Sequence, residues 1–209
     1  MTDWIAWHRQ YDDQDSGLAR RLRAVQAEIG AWLDETAPAP VTVVSACAGD
    51  GRDLLQVLAE RDDSHRVRAT LLEYDRRNVE RAARSAAAAA LGGIEVRCAD
   101  AGLADSYSGA VPADLVMMCG VFGNVDDDAV RRLVGTLPQL CRPGATVLWT
   151  RHRRPPDLTG QVRRWFDGAG FEEVSYVAPA DHVYSVGRHR FVGEPQQLTG
   201  RARWFEFNR

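Results

Sequence analysis

The chain has 209 residues, enough for a compact domain with a substantial core and too short for two comfortable ones. Its 45% hydrophobic and 26% charged residues are ordinary globular proportions, and a formal net charge of -3 excludes the strongly basic class of nucleic-acid or membrane-surface binder. All 26 basic side chains are arginine, and with no lysine to form a Schiff base or serve a phosphate loop, pyridoxal-phosphate enzymes and P-loop nucleotidases are excluded too.

The opening MTDWIAWHRQYDDQD is too polar for a signal peptide. No apolar run approaches about 18 residues, so no membrane span is expected and the protein is expected in the cytoplasm. From Leu18 the apolar residues Leu22, Val25, Ile29 and Leu33 recur at helical spacing behind an Asp15 or Ser16 cap. Pro38-Ala39-Pro40 breaks this helix. The run 41–46 then lacks polar alternation, as suits a strand buried on both faces of a parallel sheet. A glycine turn leads into a helix through Asp53, Leu54, Leu55, Val57 and Leu58. A strand is predicted over 68–73 and an alanine-rich helix over 76–91.

Short strands follow at 94–98 and 114–119. A helix is predicted over 127–140, where Asp126, Asp127 and Asp128 meet the positive end of its dipole. A strand at 145–151 precedes a helix marked by Leu158, Val162, Trp165 and Phe166 and stopped by Gly168 and Gly170. The last forty residues hold strand-like pieces at 172–177, 184–192 and 204–207. Alternating strands and helices predict a doubly wound α/β sheet, mostly parallel, with helices on both faces and an antiparallel C-terminal edge. Cys47, Cys98, Cys119 and Cys141 are widely spaced within apolar segments. They read as small buried thiols, and no metal site is expected.

In an open parallel sheet, ligands bind beyond the carboxyl ends of the strands. The first strand runs into Cys47-Ala48-Gly49-Asp50-Gly51-Arg52-Asp53, whose glycines allow close backbone approach to a ligand. Glu73 ends the next strand about 20 residues on, where a carboxylate can accept from the hydroxyls of an adenosine ribose. Tyr74 beside it can flank the adenine, and Asp100 after the third strand can accept from the adenine amino group. A dinucleotide site expects a third glycine where this chain has Leu54, and a pyrophosphate at the helix start that Asp50 and Asp53 would repel. The same carboxylates suit a cationic ligand.

The run VVSACAGDGRD resembles motif I of the class I methyltransferases that use S-adenosylmethionine (SAM). LLEYD resembles their second motif, CADAG their adenine-binding turn, and ADLVMMCGVFGNV the fourth strand and its loop. The opening WIAWHRQYDDQDSGLARRL is similar to that of a group of bacterial methyltransferases of unassigned substrate. The resemblance spans 41–151 and implies a Rossmann-like sheet of about seven strands with the last one reversed. It implies that Cys47, Ala48, Gly49, Asp50 and Gly51 contact the methionine part of SAM through their backbone. Glu73 would then hold the ribose, Tyr74 flank the adenine, Asp100 and the Ala101 amide read its edge, and Cys119 and Gly120 meet the amino group with their carbonyls. Two positions depart from the motif: Ser45 replaces its acid and Cys47 its first glycine.

The whole chain, 1–209, is expected to form one such domain. Residues 1–37 would form a helical lid, 41–151 the cofactor-binding core, and 152–209 the last helix and strands. The expected reaction moves a methyl group to a small-molecule acceptor and leaves S-adenosylhomocysteine (SAH). Nucleic-acid and membrane partners are not expected. Candidates for acting on the acceptor are His8 and Tyr11 in the aromatic opening with Trp4 and Trp7, Asn124 after the fourth strand, and His152 after the fifth. Asn124 reads more readily as a cap of the next helix. Arg151, His152, Arg153 and Arg154 could bind an anionic substrate or form a solvated loop, and His189 reads as a packed histidine. A SAM-binding protein without transfer activity and an NAD-dependent oxidoreductase are the alternative readings.

Overall fold

The computed structural model describes Asp13 and residues 16–207. Helix α1 (Gly17–Thr36) begins where the Ser16 hydroxyl accepts from the Ala19 amide at 3.0 Å, and it buries Val25, Ile29, Trp32 and Leu33 along one face. Strand β1 (Val41–Ala46) ends on Cys47, Gly49 and Gly51, whose φ angles of 54°, 60° and 71° swing the chain into α2 (Arg52–Ala59). Only glycine fits at the last of these, because a Cβ on Gly51 would lie 2.9 Å from the side chains of both Leu55 and Leu71.

Strand β2 (Val67–Glu73), helix α3 (Arg76–Ala88) and strand β3 (Ile94–Cys98) follow. The alanine run predicts a helix to residue 91, but α3 stops at Ala88. Ala90 adopts a φ of 54° and the Leu91 amide donates to the Ala86 carbonyl at 3.0 Å, a left-handed closure that turns Leu91 into the core. Strand β4 (Ala113–Met118) leads to α4 (Asp127–Thr136), which tightens into a 3-10 turn, Leu137–Gln139, where Pro138 has no amide to continue the helix. Strand β5 (Cys141–His152) starts earlier than expected, since Cys141 already pairs with Ala113 before a register shift. Helix α5 (Thr159–Gly168) and strands β6 (Phe171–Val177) and β7 (Tyr184–Phe191) complete the set.

The seven strands form one sheet in the order β3-β2-β1-β4-β5-β7-β6. The five from β3 to β5 are parallel, and β7 runs antiparallel between β5 and β6. The sheet is thus the mostly parallel, seven-stranded one expected, with its reversed strand one position in from the edge. Because β1 pairs with both β2 and β4, the chain leaves β1 in opposite directions, and the crevice of a doubly wound sheet opens there.

The first three helices cover one face, where Ile29, Leu33, Leu54, Leu58 and Leu71 are fully buried. The other face packs Phe122, Trp149 and Phe166 under α4 and α5. Buried Arg188 on β7 pairs with Glu28 at 3.1 Å and Glu35 at 2.8 Å, which fixes α1 across the sheet.

Two expectations need correction. The piece at 204–207 is not a strand; the residue before it, Arg203, makes an isolated bridge to Leu103. Its aromatic alternation reflects burial in a clasp on the turn after β3, with the Trp204 amide donating to the Gly102 carbonyl at 2.8 Å and the Ala104 amide to the Ala202 carbonyl at 2.9 Å. Cys98 is exposed rather than buried, because β3 is an edge strand. Among the described residues no helix is long and apolar enough to cross a membrane, and no cluster of His, Cys, Asp and Glu suits a metal.

Candidate functional site

A cleft of about 580 Å³ opens beyond the carboxyl ends of β1, β2, β3 and β4. Cys47, Ala48, Gly49, Asp50, Glu73, Tyr74, Asp100, Ala101, Cys119 and Gly120, far apart in sequence, all line it. Gly51 alone of the residues singled out around the turn does not; it is buried behind the loop, under Leu55 and Leu71.

Glu73 bridges the two turns that form the floor. One carboxylate oxygen accepts from the Gly49 amide and the other from the Asp75 amide, each at 2.8 Å. Each oxygen keeps a further lone pair for a ligand donor. Tyr74 projects beside it, 78% exposed, at the rim. Asp100 accepts from the Gly102 amide at 2.8 Å and pairs with Arg203 at 3.0 Å.

The acids of the turn are not equivalent. Asp50 is paired with Arg52, with the closest contact at 2.5 Å. Asp53, in the first turn of α2, accepts from the Leu54 amide at 2.8 Å. Burial, with a contribution from Asp50, raises its carboxyl to about 6, while the Leu54 amide and Arg21 draw it back down. The Cys47 thiol is pushed well up by burial and then by Glu73 and Asp100, and the Cys119 thiol by burial and Asp53, so neither is a thiolate nucleophile.

On the β4 side, the Gly120 amide donates to the Thr150 hydroxyl at 2.8 Å, and its carbonyl accepts from the Asn124 side chain at 2.6 Å. Asn124 lines the cleft but does not cap the next helix; Asp126 does, accepting from the Ala129 amide. His152 does not line the cleft. Its ring stands behind the loop, next to Gly123, and is kept neutral by burial and by Arg151 and Arg154. The arginine cluster is dispersed: Arg151 is buried against Asp127 and the Phe122 carbonyl, and Arg153 donates to the carbonyls of Pro179 and His182. His189 is packed in the core, accepting from the Trp149 indole at 3.2 Å and stacked on Phe166. His8, Tyr11, Trp4 and Trp7 lie outside the described residues.

A family model described as "Putative methyltransferase" matches residues 16–163, about seven-tenths of the chain. The chain belongs to this methyltransferase family. No curated protein matches the sequence.

The fold of the methyltransferase is shared with solved structures at low identity. Magnesium protoporphyrin IX methyltransferase from Synechocystis PCC 6803, solved with bound SAM, is 14% identical with a TM-score of 0.69, over 91% of each chain. An O-methyltransferase family protein from Burkholderia thailandensis is 19% identical with a TM-score of 0.63, over 81% of this chain and 57% of that one. A Bordetella parapertussis protein named as a "possible exported protein" is 18% identical with a TM-score of 0.68, over 83% and 68%.

The methyltransferase also lines its cleft with residues that the sequence motifs do not mark. Helix α1 contributes Arg21, Leu22 and Val25, and the segment after β7 contributes Arg203, Phe205, Glu206 and Phe207. Leu22 and Val25 do stand in the apolar pattern of the first helix. Nothing local in the sequence signals that the last segment returns to the carboxyl ends of the strands.

Proposed function

We propose that the chain binds SAM in this cleft as one methyltransferase domain and transfers the methyl group to a small-molecule acceptor by in-line displacement, releasing SAH. When bound, SAM supplies a methyl carbon already activated by a sulfonium. The protein's part is alignment and exclusion of water. The observation that carries the reading is Asp53, a half-buried carboxylate at the mouth of α2, in a cleft that also holds Glu73 and Asp100. A helix start loaded with an acid repels a pyrophosphate and suits a cation. Leu54, fully buried where a dinucleotide fold needs its third glycine, argues the same way against NAD.

In this reading the Gly49 and Asp50 turn lies under the amino-acid part of the donor, with Asp53 facing its positive charge. Glu73 accepts from the ribose hydroxyls, and Asp100 with the Ala101 amide meets the adenine edge. The Gly120 carbonyl, held by Asn124, offers its second lone pair to the ammonium. A small acceptor fits better than a nucleic acid, because Arg151 and Arg153 are turned onto Asp127 and backbone carbonyls rather than outward.

A second reading, a SAM-binding protein without transfer, is favoured by Cys47, which holds a left-handed φ of 54° with a thiol where the motif has glycine. Two measurements separate the readings. Thermal shifts are recorded with SAM, SAH and NAD, and transfer from labelled SAM is followed across a panel of small oxygen, nitrogen and sulfur acceptors. Stabilisation by SAM and SAH with label in at least one acceptor is expected. Stabilisation without label across the panel supports the second reading, and stabilisation by NAD alone overturns both.

A further inference from the structure

The segment after β7 lies outside the region matched by the family model, yet it returns to the cleft. It is clasped to the turn after β3 along its length. The Arg201 amide donates to Asp105 at 2.9 Å, the Trp204 amide to the Gly102 carbonyl at 2.8 Å, and the Trp204 ring packs 5.2 Å from Tyr107. The approach is close enough that a Cβ on Gly102 would lie 2.3 Å from the Phe205 carbonyl. Trp204 and Phe205 are each only 6% exposed, so this is packed structure.

Asp100, the carboxylate assigned to the adenine edge, is held from two sides. The Gly102 amide donates to Oδ1 at 2.8 Å, and Arg203 Nη1 donates to Oδ2 at 3.0 Å. Arg203 is itself braced by Glu206, with Nε 3.2 Å from Oε1. Each Asp100 oxygen keeps a free lone pair, so the carboxylate is fixed in place and still able to accept.

Resting on the SAM reading above, we infer that residues 203–207 form the base-side wall of the cleft and that Arg203 is a positioning residue that fixes Asp100 as the acceptor for a purine amino group. Arg203 acts through Asp100: its guanidinium holds the carboxylate in one orientation, as a planar, preorganised donor does better than a flexible ammonium. A base with a carbonyl in place of the amino group then meets a fixed acceptor and is rejected, because two acceptors face each other.

The test is calorimetric binding of SAH and of S-inosylhomocysteine, whose base carries a carbonyl at the amino position and a hydrogen on the adjacent ring nitrogen, to wild type, Arg203→Gln and Arg203→Lys. Wild type is expected to prefer SAH by about tenfold or more. Arg203→Gln should weaken SAH about fivefold and leave the inosyl analogue within about twofold, collapsing the preference, and Arg203→Lys should restore part of it. Equal weakening of both ligands, or an unchanged preference, overturns the inference while leaving the SAM reading intact. A folded wild type that binds neither ligand removes the SAM reading and this inference with it. Arg203 is 42% exposed and its ion pairs lie at the surface, so the Gln variant should fold with a melting curve close to wild type.

Discussion

Lowering the pH from 7.5 to 5 should weaken SAM binding about tenfold through Asp53. Burial and Asp50 lift this carboxyl to about 6, and the Leu54 amide and Arg21 only partly oppose them. The sign follows from the raised value. Above pH 6 the free protein holds a carboxylate ready for a cation, and below it the group is protonated and must lose that proton before the ligand gains its charge. At pH 5 about one molecule in eleven keeps the carboxylate, which costs about 1.4 kcal/mol of SAM affinity. SAH keeps the ammonium but lacks the sulfonium, so its affinity should fall less. Titration calorimetry at pH 5, 6 and 7.5 measures the slope. Repeating the pH 6 titration in two buffers of different ionisation heat should show about half a proton released per SAM bound. Asp53→Asn should bind SAM about tenfold more weakly at pH 7.5 and lose the slope. An affinity that stays flat from pH 5 to 7.5, or an Asn variant that keeps the wild-type slope, would refute the assignment.

Two further predictions concern the scaffold. His189, 1% exposed, is held near 4 against an ordinary 6.5, chiefly by burial, so the unfolded chain binds the extra proton between those values and stability rises with pH across that window. Urea unfolding should show about 2 kcal/mol less stability at pH 4.5 than at pH 7, and His189→Phe should remove most of that difference; an equal pH dependence in the variant would contradict it. Gly187→Ala should destabilise the fold by about 2 kcal/mol or more, because its Cβ would lie 2.3 Å from Cε2 of fully buried Trp149. A melting temperature equal to wild type would show that Trp149 can move, against its stacking on Phe166.

The parallel half of the sheet was legible because its signals are local. Runs such as Val41–Ala46 and Ile94–Cys98 carry their own β-branched pattern, and the turn at Gly49 and Gly51 is marked by residues that tolerate positive φ. Where local rules compete, boundaries moved: alanine propensity favours helix through residue 91, but burial of Leu91 bends the chain at Ala90. The site was legible only where a motif spans adjacent residues. The Asp50–Arg52 pair separates two acids that look equivalent in sequence, and Arg203 meets Asp100 across 103 positions, a contact that no short-range pattern encodes. Phe205 and Phe207 alternate as a strand would, and only the docking of that segment on Gly102 shows that the alternation serves a clasp.

The central claim is that Glu73, tied to the Gly49 and Asp75 amides, grips the sugar of an adenosine-bearing methyl donor. Its most direct test is the dissociation constant of SAH at pH 7.5 for wild type and for Glu73→Ala, with circular dichroism confirming that both are folded. One site per chain is expected in wild type, weakened about thirtyfold or more in the variant through loss of charge-assisted hydrogen bonds. A folded wild type that gives no heat with SAH or SAM, or a variant that binds as tightly as wild type, would contradict the account.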